Sequence, residues 1–193
     1  MPDLSSVRVG FALTGSFCVF SRVFPAVEAL IAAGAAVTPV LSAAAASTDT
    51  RFGTAESHRA RLEVLTGHAP LCGIAEVEPI GPRKLFDILV IAPCTGNTLA
   101  KLAAGIADGP VTLAAKSHLR NGRPILLAVS SNDALAANAP SVGTLLARRH
   151  FYFVPMGQDD PAGKPRSVVA DFSRIPDALE AALEGRQLQP ILL

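Results

Sequence analysis

Apolar runs and helical patterns alternate along the whole chain, and this alternation limits the fold more than any other feature. Each apolar run is followed by a stretch with helical spacing, which is typical of parallel strands joined by crossover helices. The expected strands are Val7–Leu13, Val37–Leu41, Ile88–Ala92, Pro124–Val129 and Phe151–Val154. The expected helices are Phe20–Ala33, Thr54–Leu65, Asn97–Ala104, Val111–Leu119, Ser141–His150 and Ile175–Leu183. The sequence therefore predicts one α/β domain over residues 1–193, a three-layer α/β/α, Rossmann-like parallel sheet of five or six strands.

Composition excludes several classes of protein. Half of the 193 residues are hydrophobic, which is too apolar for a disordered chain, and the net charge of +1 with no Trp argues against a nucleic-acid partner. Cys18, Cys72 and Cys94 form no C-x-x-C pair, so we expect a reduced, cytosolic protein. The N-terminus has no signal-peptide pattern, and no apolar run approaches the ~20 residues of a membrane helix. The high apolar fraction together with the low charge favours a homo-oligomer, and a parallel sheet covered on both faces would explain it equally well.

Small polar residues follow all five predicted strands. The segments are Thr14–Ser16, Ser42, Cys94–Thr98, Ser130–Asp133 and Gly157–Asp160. The carboxyl ends of parallel strands meet at one edge of the sheet, where ligands of such folds bind. A Gly-Ser turn before a helix offers backbone N–H groups and a hydroxyl to a phosphate. The pattern predicts an anion or cofactor site, and the alternative is that these residues only cap helices and form turns.

Several well-known sites are not indicated. The first strand lacks the G-x-G-x-x-G of dinucleotide folds, and the chain has no G-x-x-x-x-G-K-S/T phosphate loop. It also has no H-E-x-x-H, no clustered Cys/His set and no G-x-S-x-G, so we expect neither a metal site nor a hydrolase nucleophile.

Two motifs carry a family resemblance. The "LTGS" after the first strand and the "APCTGNTLAKLAAGIAD" that begins at Ala92 resemble the superfamily of flavin-dependent cysteine decarboxylases and flavin prenyltransferases. That family's pattern is roughly A-P-x-S/T-x-N-T-x-x-K-x-x-x-G-x-x-D. The resemblance implies that FMN is held through its phosphate and ribityl chain. The implied cofactor residues are Thr14, Gly15, Ser16, Ser42, Pro93, Thr95, Gly96, Asn97 and Thr98.

A narrower resemblance covers nearly the whole chain. The segments "TDTRFG", "AAKSHLRNGRP", "SSNDAL", "YFVPMGQDDPAGKPRS" and "EAALEGRQLQP" are similar to a family of bacterial sporulation proteins within this superfamily. Members of that family work with a partner protein, the A subunit, to make dipicolinate from a dihydrodipicolinate-type precursor. The resemblance implies an oxidoreductase subunit that is inactive without this partner, NADP on the partner rather than here, and a place in the mother-cell cytoplasm.

The chain departs from the decarboxylases at two positions. The decarboxylases place a catalytic His shortly before the third strand, where this chain has Pro79, and their P-x-M-N after the fourth strand is "VSSN" here, which keeps only Asn132. We therefore expect no cysteine-type decarboxylation, and the sequence assigns no catalytic residue. Two hypotheses stay open: an enzyme subunit that binds FMN or an anionic substrate, and a non-catalytic protein that scaffolds the A subunit.

A dicarboxylate substrate needs a fixed cation. Arg51 lies in the long loop Ser42–Gly53, and its planar fork suits a carboxylate. We expect Arg51, Ser131 and Asn132 to bind the substrate, with Lys164 and Arg166 of the second long loop, Met156–Ser167, as rivals. Of the other candidates, Cys94 is expected to be a buried, inert thiol, Lys101 to lie on a surface helix face, and the four histidines to lie at the surface or beside helix ends (His58, His68, His118 and His150).

Overall fold

Five parallel strands form the centre of one sheet, as predicted. The computed structural model describes residues 3–193, so Met1 and Pro2 of the predicted 1–193 domain lie outside the described residues. Hydrogen bonding runs in the order β2-β1-β3-β4-β5, and every neighbouring pair in this group is parallel. These strands are β1 (Arg8–Leu13), β2 (Ala36–Leu41), β3 (Ile88–Cys94), β4 (Ile125–Ser131) and β5 (Phe151–Phe153).

Two short strands that the sequence did not predict extend the sheet. These are β6 (Met156–Gly157) and β7 (Val168–Ala170). β7 runs antiparallel to the end of β4 and pairs with Ser130 and Ser131, and β6 runs antiparallel to β7. The sheet in residues 3–193 is therefore mixed, with seven strands, and the expected loop Met156–Ser167 begins with one of them.

The part of the chain that the structure describes contains eight α-helices, and five of them agree with the predicted ones within one residue at each end. They are α1 (Phe20–Ala32), α2 (Ala43–Ser47), α3 (Ala55–Thr66), α4 (Ile74–Val77), α5 (Gly96–Ala104), α6 (Pro110–Leu119), α7 (Ala139–Leu146) and α8 (Ile175–Leu183). The predicted loop Ser42–Gly53 contains α2, so it is not irregular throughout. α7 ends at Leu146 and not at His150, because the chain turns so that Arg148 can donate to the carbonyls of Leu102 and Ala103 at the end of α5.

The helices cover the sheet in two groups. α1 and α8 contact each other and pack on β3, while α5 contacts α6 and α7, and both α5 and α6 pack on β4. Every residue of β3 and β4 is buried, which explains their continuous apolar sequences and requires helices on both faces. This arrangement leaves the ends of the strands as the place where polar groups reach solvent. No helix in residues 3–193 combines the length and apolar character that crossing a membrane requires.

Two of the four histidines are buried. His58 was expected at the surface, and that expectation is wrong, whereas His118 lies in the last turn of α6, beside a helix end as expected, but is buried there. His118 is 1% exposed, and its Nε2 lies 3.0 Å from the carbonyl oxygen of Pro124, so this nitrogen carries the proton. His58 is 7% exposed and packs between Phe20 and Phe24. Burial lowers the pKa of His118 to about 4, with a further contribution from the charge of Arg123, although the bond to Pro124 opposes the shift.

His118 should make the protein less stable in mild acid. The unfolded chain takes up a proton on this side chain from about pH 6.5 downward, whereas the folded chain takes it up only near its lowered pKa, so stability falls as the pH drops between these values. Between pH 7 and pH 5 we expect the wild type to lose about 2 kcal/mol more than His118→Gln. Urea unfolding of both proteins at the two pH values measures this difference, and equal losses would contradict the assignment.

Candidate functional site

The hydroxyl of Thr14 joins the ends of β1 and β3. Thr14 Oγ1 donates to the carbonyl oxygen of Pro93 at 2.6 Å and accepts from the backbone N–H of Thr95 at 3.1 Å. Thr14 is 1% exposed, and its one hydroxyl satisfies the buried carbonyl of Pro93 and the part-buried N–H of Thr95. The two loops that follow these strands are therefore held in a fixed relation.

α5 begins at the end of β3 and directs its N-terminus towards solvent at this edge of the sheet. Thr95 is the N-cap residue, and its Oγ1 accepts from the N–H of Thr98 at 3.3 Å. The N–H groups of Gly96 and Asn97, in the first turn, have no acceptor within the helix. Such N–H groups, together with the partial positive charge of the helix end, favour an anion.

One cavity, of about 370 Å³, lies between this helix start and two others; we call it the helix-start cavity. Its walls include Ser42, which caps α2, and the segment Gly109–Thr112 at the start of α6. Lys101 stands at the same cavity and pairs with Asp108 at 2.7 Å. The α5 and α6 N-termini converge here beside a lysine, an arrangement that favours an anion, while the carboxylate of Asp108 lines the same cavity and offsets the charge of the lysine.

A larger cavity, of about 650 Å³, lies on the other side of the same loops; we call it the serine cavity. It shares Gly15, Thr95 and Asn97 with the helix-start cavity, so the two form one crevice over the strand ends. Ser16 Oγ and Ser130 Oγ are hydrogen-bonded at 2.8 Å, which ties the β1 loop to the end of β4.

A carboxylate organises the floor of the serine cavity. Asp133 accepts from Ser131 Oγ at 2.5 Å and from Asn138 Nδ2 at 2.7 Å. These hydrogen bonds, with that from Ser131 the stronger, hold the pKa of Asp133 below its usual range. The group packs directly over Gly96, where an added Cβ would lie 2.6 Å from Ser131 Oγ and from Asn138 Nδ2. The start of α5 therefore has room for glycine alone at this position.

The structure brings most of the predicted cofactor residues to this crevice. Thr14, Ser42 and Thr98 line the helix-start cavity, Ser16 and Gly96 line the serine cavity, and Gly15, Thr95 and Asn97 line both. Pro93 is buried in β3 and lies beneath the crevice, where its carbonyl accepts from Thr14. Ser131 and Asn132 line the serine cavity.

Arg51 lies apart from Ser131 and Asn132. Its side chain is exposed, its guanidinium carbon lies 4.8 Å from the ring centre of Phe52, and it lines neither cavity of the crevice. Lys164, one of the two rival cations, does line the serine cavity and pairs with Asp159 at 3.2 Å. The joint role of Arg51, Ser131 and Asn132 stays a prediction.

Several lining residues were missed from the sequence. Lys101 faces the helix-start cavity, which corrects its assignment to an outer helix face, and Gly109–Thr112 were not considered as site residues. A Gly followed by Pro at a helix start was a usable signal for the latter. Asp133 and Asn138 had no such signal, because their roles depend on contacts with each other. Cys94 is fully buried, as expected, and burial raises the pKa of its thiol, which makes it unreactive.

The chain is similar to known proteins over most of its length. Residues 2–145 match the model of a family described as Flavoprotein. The chain belongs to the flavoprotein family. This flavoprotein is 45% identical to the B subunit of dipicolinate synthase from Bacillus subtilis, over 100% of its own length and 96% of that protein's. It is also 33% identical to the flavin prenyltransferase UbiX of Deinococcus radiodurans, but over 35% of the chain and 38% of that protein.

Solved structures of similar proteins have the same fold. The crystal structure of the dipicolinate synthase B subunit from Bacillus halodurans matches this flavoprotein with a TM-score of 0.91 and 40% identity, over 100% of this chain and 98% of that one. The FMN-dependent cysteine decarboxylase SpaF matches with a TM-score of 0.65 and 25% identity, over 92% and 98%. The predicted fold class and family are thereby confirmed.

Two glycines at the crevice should respond differently to the same substitution. Gly96→Ala places a methyl group against Ser131, Asp133 and Asn138, and we expect a loss of about 1–3 kcal/mol in the free energy of unfolding. Gly15→Ala is the matched control, because its Cβ would meet Ala44 and Phe17 only at ordinary contact distances of 3.5 and 3.6 Å. Denaturant unfolding compares the two variants. Equal stability would contradict the prediction, because it would show that Ser131, Asp133 and Asn138 can move aside without cost.

Proposed function

We propose that this flavoprotein is the B subunit of a dipicolinate synthase, that it binds FMN in the strand-end crevice, and that it works with an A subunit. The observation that carries the proposal is the 45% identity to a dipicolinate synthase B subunit over the full chain. The conversion of a dihydrodipicolinate-type precursor into dipicolinate makes the ring aromatic and removes two electrons. An oxidation of this kind is in keeping with a flavin family and with an NADP-binding partner.

The residues at the crevice fit FMN. The helix-start cavity offers an anion the N–H groups at the start of α5, the hydroxyls of Ser42 and Thr98, and the Lys101 ammonium. These groups would hold the FMN phosphate, while Gly15 leaves the passage between the two cavities free of side-chain atoms. Two solved structures of the same fold, of a DmrB and an AnUbiX, are complexes with FMN, which is in keeping with a flavin cofactor here. FMN, when bound, supplies redox chemistry.

The residues of the serine cavity bind and orient rather than transfer protons. No histidine lines either cavity of the crevice in residues 3–193. The hydrogen bonds that lower the pKa of Asp133 keep it ionised at neutral pH, where it positions Ser131 and Asn138. We assign to Ser131 and Asn132 the contacts with a polar ligand that enters this cavity.

The absence of histidine from the crevice in residues 3–193 favours a second candidate function. In it, the chain binds and stabilises the A subunit, while it keeps the anion site without using it in turnover. Exposed apolar side chains such as Leu135, Leu146 and Ile106 offer surface for a partner protein or for a homo-oligomer under both candidates.

Gly15→Val should abolish FMN binding without unfolding the protein. A valine at this position would occupy the passage between the two cavities, while its Cβ meets the protein itself only at ordinary contact distances. We expect at least a 100-fold loss of FMN affinity in calorimetric titration, or about 2.7 kcal/mol. The control is Gly143→Val, on the exposed side of α7 where a Cβ would meet nothing within 4 Å, and it should bind FMN like the wild type. Unchanged affinity in a folded Gly15→Val protein would refute the site.

The same variant separates the two candidate functions. Dipicolinate formation is measured as an initial rate for the A subunit on its own, with wild-type chain added, and with Gly15→Val chain added. If the flavin takes part in turnover, the A subunit should be active with the wild type and inactive with Gly15→Val. A Gly15→Val chain that binds no FMN and still fully activates the A subunit would support the scaffold function instead.

A further inference from the structure

A third cavity lies beside the serine cavity and is walled by aromatic rings; we call it the aromatic cavity. It has a volume of about 280 Å³ and adjoins the serine cavity at Cys18, which lines both. Four of the nine phenylalanines of the chain meet here, together with one histidine and one arginine. These lining residues are Phe17, Phe20, Phe24, Phe52, His58 and Arg61.

His58 has an unsatisfied polar atom in this aromatic setting. Its ring centre lies 4.9 Å from that of Phe20 and 6.0 Å from that of Phe24. Nε2 is buried and has no hydrogen-bond partner among the residues that the structure describes. Leaving such an atom unpaired costs about 1–3 kcal/mol, so it calls for an explanation. Burial, and to a lesser extent the charge of Arg61, lowers the pKa of His58, so the imidazole is neutral at pH 7.

A tight turn closes the cavity over this imidazole. Thr50 and Gly53 exchange two backbone hydrogen bonds, of 3.0 and 3.1 Å. Gly53 has a φ of +134° and lies so close to His58 that an added Cβ would be 2.8 Å from Nε2. The two residues between them, Arg51 and Phe52, are exposed, and the Phe52 ring forms part of the cavity wall.

Two guanidinium groups lie against the rings of the cavity. The guanidinium carbon of Arg61 lies 4.2 Å from the ring centre of Phe24, and that of Arg51 lies 4.8 Å from the ring centre of Phe52. Arg61 donates to Glu28 at 3.2 Å through one nitrogen. Because a guanidinium has five N–H donors, both arginines keep donors for the oxygens of a carboxylate.

We propose that the aromatic cavity binds a single planar ring that carries carboxylates, the chemistry of dipicolinate and of its dihydro precursor. The inference rests on the proposed function and names where its substrate or product lies. The ligand ring would stack on Phe17 and Phe52, the two rings of the cavity that are not buried. One carboxylate would pair with Arg61, and the other would extend past Phe52 to Arg51, which lies against that ring but does not line the cavity. A polar atom of the ligand would reach His58 once the turn moves aside. The volume, near the lower end of the usual range of about 300–1,000 Å³, favours one ring over the three fused rings of a flavin.

The primary test compares two arginines of the same helix. Arg61→Gln removes a cation that lines the aromatic cavity, whereas Arg59→Gln removes one that is exposed on α3 and lines no part of it. Calorimetric titration with pyridine-2,6-dicarboxylate in metal-free buffer should give at least tenfold weaker binding for Arg61→Gln and a change of less than twofold for Arg59→Gln. Arg51→Gln should fall between the two, because Arg51 does not line the cavity and adjoins it only through the Phe52 ring.

Two further probes test the ring and the nitrogen. Glutarate has two carboxylates and no ring, and pyridine has the ring and no carboxylate, so both should bind at least tenfold more weakly than pyridine-2,6-dicarboxylate. His58→Phe keeps a ring and removes the nitrogen, and it should weaken binding of the dicarboxylate while its melting temperature stays at or above that of the wild type. A lower melting temperature would show that the variant has disturbed the fold, and the decision then rests on Arg61→Gln and Arg59→Gln.

FMN titration of the same variants separates this inference from the proposed function. If Arg61→Gln binds FMN normally and the dicarboxylate weakly, the aromatic cavity is the dicarboxylate site. If FMN fails to bind even the wild type while the dicarboxylate binds as described, the flavin role falls and the inference stands. Equal losses in Arg61→Gln and Arg59→Gln, no binding to the wild type, or a loss in Gly15→Val without one in Arg61→Gln would each overturn the inference.

Discussion

The hydroxyl of Thr14 is the contact on which the strand-end crevice depends. It satisfies the carbonyl of Pro93 and the N–H of Thr95 together, and so fixes the start of α5 against the end of β1. Without it, the buried carbonyl of Pro93 would lack a partner, at a cost of about 1–3 kcal/mol, and the part-buried N–H of Thr95 would lose its acceptor. The pair formed by Ser16 and Ser130 continues the same connection to β4. Three neighbouring strands thus end in one hydrogen-bonded layer, and the crevice lies over it.

Much of the fold was readable from the sequence because burial on both faces leaves a strong pattern. β3 and β4 are apolar without interruption, and the helices between the strands are long enough to show their spacing. β6 and β7 have two and three residues, too few for any periodicity, and they exist because the end of β4 offers free backbone groups to a distant segment. The end of α7 is likewise set by Arg148 and its bonds to another helix, which no local pattern records.

The candidate site also contains residues that the sequence predicted and residues that it did not. Residues that directly follow a strand, such as Gly15 and Thr95, were predictable because parallel topology alone brings strand ends together. Arg51 was not, because the direction of its side chain depends on the turn closed by Thr50 and Gly53 rather than on the sheet. His58 was expected at the surface since α3 is polar on most positions, yet this helix packs against α1 and turns that one imidazole towards Phe20. Neither the turn that holds Arg51 nor the weakly amphipathic helix that holds His58 showed in the sequence which way these side chains point.

The charged groups around the strand-end crevice and the aromatic cavity explain why the two would bind different ligands. At the strand-end crevice, Lys101 and Lys164 are each paired with an aspartate, so the site there relies on helix N-termini and hydroxyls, which suit a phosphate. At the aromatic cavity, the guanidinium of Arg61 is stacked on the ring of Phe24 and donates to Glu28 through one nitrogen. Its remaining N–H donors suit a planar carboxylate. Because Cys18 borders both the aromatic and the serine cavity, ligands held in the two would be neighbours. A cofactor and an aromatic acid placed side by side in this way would meet across Cys18 without any movement of the sheet.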